Sequence, residues 1–174
     1  MPTITANKAR ELREAEPDNP RYLLEVAYGT MNMVMLRIGS REPADEALLQ
    51  EVEESLRLAR ASVDALPGDE EALSHYANTL AWAADGADLA CDLASAERYR
   101  RENLRLAEEV ARESPSNETR KTLAYARRGL AEVLVYLGMI GAANDSLAES
   151  TGLLRELLRR DETNRDYALD LTVN

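Results

Sequence analysis

Four stretches of this chain carry the same punctuation at nearly the same interval: EPDNP at 16–20, LPGDE at 66–70, SPSNE at 114–118 and DETNR at 161–165. Aligned on Pro17, Pro67, Pro115 and Glu162, they lie 50, 48 and 47 residues apart. Two positions later each copy has Asn19, Asp69, Asn117 or Asn164. A period of this length marks a chain that repeats one supersecondary unit and buries each unit's apolar face on its neighbours. The Asn/Asp column is expected to cap helices, since these side chains accept hydrogen bonds from first-turn amides that lack an intrahelical partner. Pro20, directly after Asn19, is the residue favoured at the first helical position.

Before each mark comes a similar helical ending: LARASVDAL, LAEEVARES and LLRELLRRD, with KARELREAE as a fainter version near the start. Leu58, Leu106 and Leu153 fall in one column, and Ala59, Ala107 and Leu154 in the next. A second break is expected within each period, near Gly39-Ser40, Gly86 and Gly138, so that each unit is two helices joined by a short turn. The first helices (A) are placed near 19–38, 69–85 and 117–138, and the second (B) near 43–66, 88–113 and 140–160. This gives repeats at 17–66, 67–114 and 115–161, with half-repeats at 3–16 and 162–174. Ala, Leu, Glu and Arg dominate and phenylalanine is absent, while no β-branched run alternates over the length of a strand. The expected class is all-α, a single array of about three antiparallel αα-hairpins.

The stretches NPRYLLEVAYG and NRDYALDLTVN, with Tyr22 and Tyr167 in one aromatic column, resemble the cap, aromatic, acid and aliphatic pattern of tetratricopeptide-like helical repeats. The likeness is to a lengthened variety with units of about fifty residues, where the common unit has 34, and it covers nearly the whole chain. Ala72 stands where the second copy would have its aromatic. The resemblance implies a right-handed superhelical solenoid whose A helices line a concave groove. It also implies the repeat region of a larger bacterial signalling or regulatory protein.

The 32 acids against 21 bases give a net charge of −11, a field that repels phosphate backbones and anionic lipid surfaces. Neither nucleic acid nor a membrane is therefore an expected partner. The longest uncharged apolar run, VLVYLGMIGAA, is far shorter than the ~20 residues that span a bilayer, and the start lacks an apolar leader segment. The lone Cys91 cannot form an intrachain disulfide, in keeping with a reducing compartment. Together these features lead to the expectation of a cytoplasmic protein.

Candidates for chemistry are few. Met31, Met33 and Met35 alternate, but on a helix Met33 points roughly 160° away from the other two. They are read as packing on a helix covered on several sides, and not as a soft-metal site. His75 is the single histidine and has no second ligand or matched nucleophile, so a surface or partly buried polar role is expected. Cys91, in ADLACDLASA, reads as a small buried residue. No phosphate-binding glycine motif occurs. The acids recurring along the helices read as a solvated surface paired with arginines one turn away. No catalytic residue, metal site or cofactor is expected.

One basic cluster stands out, RKTLAYARRG, with Arg120, Lys121, Arg127 and Arg128. Arg120, Arg127 and Arg128 flank Ala124 on one helix face. The favoured reading is that they neutralise Glu108, Glu109 and Glu113 of the preceding helix. The sharper one, suggested by the resemblance, is a groove that holds peptide carboxylates, with Asn32, His75 and Asn78 available on the earlier A helices. The expected function is a non-catalytic protein–protein interaction or scaffold module that binds a peptide or protein on the A-helix face, one with acidic groups where the basic cluster takes part. A homotypic assembly element is the alternative. Least favoured is an accessory domain that completes an enzyme encoded elsewhere. The half-repeats, through Ile4, Ala9 and Leu12 at one end and Tyr167, Leu169, Leu171 and Val173 at the other, suggest a segment of a longer array and head-to-tail association.

Overall fold

A computed structural model describes residues 6–40 and 44–173. Helix takes 85% of them, and no strand occurs among the described residues. The helices are α1 (Ala6–Ala15), α2 (Pro20–Gly39), α3 (Glu46–Ala65), α4 (Glu70–Leu89), α5 (Leu93–Glu113), α6 (Asn117–Tyr136), α7 (Ile140–Arg160) and α8 (Arg165–Thr172). The all-α class holds, and A and B helices alternate as the period requires.

Three marks of the cap column act as read. Asn19 Oδ1 accepts from the Arg21 amide at 3.1 Å, Asp69 Oδ1 from Ala72 at 2.9 Å, and Asn164 Oδ1 from Asp166 at 3.1 Å. The fourth is corrected by one residue. Ser116, and not Asn117, caps α6, accepting from the Thr119 amide at 3.1 Å while Thr119 Oγ1 accepts from the Ser116 amide at 2.9 Å. This reciprocal box satisfies two first-turn donors where a single Asn would satisfy one. Asp45, outside the column, caps α3 by accepting from Leu48 at 2.7 Å. The expected start of that helix at Pro43 lies outside the described residues.

The expected break at Gly86 does not occur, because α4 runs on to Leu89. A Cβ at Gly86 would stand 3.2 Å from Val52 Cγ2 and 3.3 Å from Ile38 Cδ1, so this glycine lets α4 approach both α3 and α2. The chain turns instead at Cys91, which is exposed and takes a left-handed φ of 58°. The expected burial of Cys91 is thereby corrected. Its turn repeats the one after α6, where Gly138 has φ 73°. In both, an amide bonds five residues back, Asp92 to Ala87 and Met139 to Leu134, each at 2.9 Å. This is the Schellman closure of a helix.

The helices form two compact units, Met1–Asp92 and Leu93–Asn174. In the first, α1 packs on α2, α2 on α3, α3 on α4, and α2 also on α4. Ala9, expected on an open face, is buried with Val26, Ala27 and Leu58, whereas Ile4 lies outside the described residues. In the second unit α5 packs on α6, α6 on α7 and α7 on α8. Its cores are Leu130, Ala131, Leu134 and Ala143, and separately Ala124, Leu154, Leu157 and Tyr167. Ser150, fully buried, ties α7 to α6 by donating to the Ala124 carbonyl at 2.8 Å. Of the two sequence columns, Leu58, Ala59, Leu106, Ala107 and Leu154 are buried and Leu153 is half-buried. Met31 is buried, but Met33 is 55% exposed, so α2 is not covered on every side.

Candidate partner-binding surfaces

The basic cluster on α6 is already engaged within the second unit. Arg120 reaches Glu156 of α7 at 2.7 Å, and Arg127 bridges Glu108 of α5 at 2.8 Å and Glu149 of α7. Ala124, which these cations flank, is buried in the α6–α7 core. The expected neutralisation by the preceding helix holds for Glu108 alone; the other partners of Arg120 and Arg127 lie on α7, the following helix. Glu109 pairs with Arg105 and Glu113 with Arg112.

Lys121 and Arg128 stand apart from these ties. Both lie over the Tyr125 ring, with the Lys121 ammonium 5.5 Å and the Arg128 guanidinium carbon 5.1 Å from its centroid. Arg128 has Glu132 one turn away at 4.0 Å. Tyr125 Oη donates to Asp170 of α8 at 2.6 Å. Burial, and then the Asp170 contact, raise the phenol's pKa. Partial burial pulls Lys121 down, but Tyr125, Glu118 and Asp170 outweigh it and raise its pKa. Two cations on one aromatic ring form a small cationic platform.

In the first unit, α2 and α4 carry the remaining candidates. Asn32 and Asn78 are exposed, whereas His75 is fully buried at 3% exposure, which corrects the expected surface or partly buried role. The His75 ring lies 4.0 Å, centroid to centroid, from Tyr28 of α2, tilted by 39°. Neither ring nitrogen has a hydrogen-bond partner of good geometry. Burial drives the pKa of His75 down to about 4, and the Ala27 backbone opposes this less strongly. Burial also raises Tyr28, helped by the carboxylates of Glu71, Glu25 and Asp69. Arg21 holds Asp69 at 2.6 Å and Glu71 at 3.4 Å, crossing from α2 to the start of α4.

One feature escaped the sequence reading. The turn from α6 to α7 exposes Val135, Tyr136, Met139 and Ile140, and no side chain caps α7 at Met139. Exposed apolar side chains grouped in this way are uncommon on monomeric proteins. These residues lie in the run VLVYLGMIGAA, whose apolar character the sequence shows and whose exposure only the fold reveals. No helix among the described residues is long and apolar enough to cross a membrane, and no group of three or more His, Cys, Asp and Glu residues there could hold a metal ion. The chain matches no protein-family model, and comparison with curated proteins finds no match.

Proposed function

We propose that this chain is a non-catalytic interaction module that binds a peptide or partner protein on the face carried by its A helices. The observation that carries the reading is the contact of α2 with α4, helices separated in sequence by the whole of α3. It gives two adjacent helices on which Asn32 and Asn78 are exposed. Amide side chains so placed suit an extended peptide, because each can both donate to and accept from its backbone. In the second unit, the Lys121–Tyr125–Arg128 platform is by itself suited to a carboxylate, and the resemblance to tetratricopeptide-like repeats agrees with a partner-binding role. The exposed apolar turn at 135–140 is a further surface of the kind that partners cover.

The test is selection of peptides from a random display library on the purified full chain, followed by mapping of amide shifts. Bound peptides are expected to perturb α2 and α4, and the double change Asn32→Ala with Asn78→Ala to weaken them. The expected loss is roughly 30-fold, that of two hydrogen bonds of about 1 kcal/mol each. Perturbations confined to other helices would overturn this placement.

A further inference from the structure

A buried imidazole with neither nitrogen bonded is stable there only while neutral, because a buried charge without a partner is far more costly than a buried polar group. His75 is buried beneath the Tyr28 ring with no hydrogen bond of good geometry at either nitrogen, and only the Ala27 backbone favours its charged form there. The charged groups nearest this ring pair act on the Tyr28 side of it: Glu25 of α2, Glu71 of α4 and the α4 cap Asp69 act on the phenol, and Arg21 of α2 holds Asp69 and Glu71. Arg60 of α3 lies over the ring of Tyr76, the next residue in sequence, at 5.7 Å. Glu71 is four residues before His75 on the same helix, the spacing at which an acid and a cation pair across one turn. The neutral ring thus has a buried place against an aromatic, and the protonated ring has a carboxylate one turn away.

We propose that His75 is an acid-operated latch on the α2–α4 face. Protonation drives the ring out from beneath Tyr28 towards Glu71, one turn before it on α4, and this loosens the contact between the two helices. Only the consequence, that acid alters partner capture, rests on the function proposed above; the latch itself needs no partner. The folded ring has a pKa of about 4 against 6.5 for the free side chain, so an opened form binds its proton first. The closed form is fully favoured above about pH 6.5 and loses that advantage as pH falls towards 4. The ratio of open to closed molecules rises by roughly 80-fold between pH 6.5 and pH 4.

The sequence contains one histidine and one tryptophan, Trp82, which lies on α4. Proton NMR of the imidazole and Trp82 fluorescence, both on the full chain between pH 8 and 4, therefore report on the latch without labelling. The expected result is a closed-state imidazole signal that does not titrate near 6.5. A second, protonated signal grows below pH 6 in step with a change in Trp82 emission. His75→Leu keeps the apolar contact and removes the proton site, and should abolish that transition while leaving any carboxylate-driven unfolding at lower pH. An imidazole that titrates near 6.5 with unchanged Trp82 emission overturns the latch, as does a transition shared by wild type and His75→Leu. The wild-type NMR result decides the matter if the variant does not fold. Failure to select a peptide ligand would count against the partner face and leave the imidazole signals unaffected.

Discussion

At the residue scale, Cys91 shows one side chain standing where the backbone asks for glycine. Its φ of 58° lies in the left-handed region, which costs an L-residue with a Cβ roughly 1–2 kcal/mol and glycine almost nothing. The opposing term is the greater chain entropy that glycine loses on folding, about 0.5–1 kcal/mol. The difference favours glycine, and the side chain is exposed, so little packing is lost. Cys91→Gly is expected to stabilise the fold by about 0.5–1 kcal/mol, read as a higher midpoint of urea unfolding. A lower midpoint would mean that the thiol makes a contact worth more than the strain. The position also explains why this turn is misplaced in the sequence: a search for glycine finds Gly86 and passes over the cysteine five residues later.

At the scale of elements, Gly86 is what α4 needs to approach its neighbours. A β-branched side chain there must displace Val52 and Ile38, whose terminal atoms stand little more than 3 Å from the first carbon it would add. Overpacking of this kind costs typically about 1–3 kcal/mol. Gly86→Val is expected to destabilise the first unit by that amount in urea unfolding, with hydrogen exchange rising in α4 before α7. A neutral result would show that α2 and α3 can give way. Gly86 also separates what the sequence could show from what it could not. The period, the all-α class and the caps at Asn19, Asp69 and Asn164 are local signals and were legible. Which face of each helix meets a neighbour is not local. Nothing near His75 in sequence announces Tyr28, 47 positions away, and nothing near Arg120 announces Glu156, 36 positions away. The buried imidazole and the engaged arginines both came from such meetings. A histidine amid small polar residues and a basic run in an acidic chain look free until their partners are placed.

At the scale of the whole molecule, the open question is association. The end faces expected to drive head-to-tail stacking are not equivalent. Ala9 is buried within its own unit and Leu12 is half-buried. On α8, Tyr167 is buried against α7, while Leu169 and Val173 are each 62% exposed. A contact that joins the two different ends would propagate, because it is heterologous, whereas one made by α8 on α8 is isologous and closes at two molecules. Of the two ends, the one at α8 keeps the larger exposed apolar surface, and we propose that self-association through it stops at a dimer. The net charge of −11 opposes it, and added salt screens that repulsion. Light scattering over a dilution series should show a mass that rises towards twice the monomer with concentration and salt. Leu169→Asp with Val173→Asp should hold it at the monomer value, because a carboxylate pair facing its own copy adds repulsion where apolar burial was lost. Growth beyond the dimer would restore the head-to-tail contact. A monomer mass at every concentration and salt would leave α8 as a surface for a different chain.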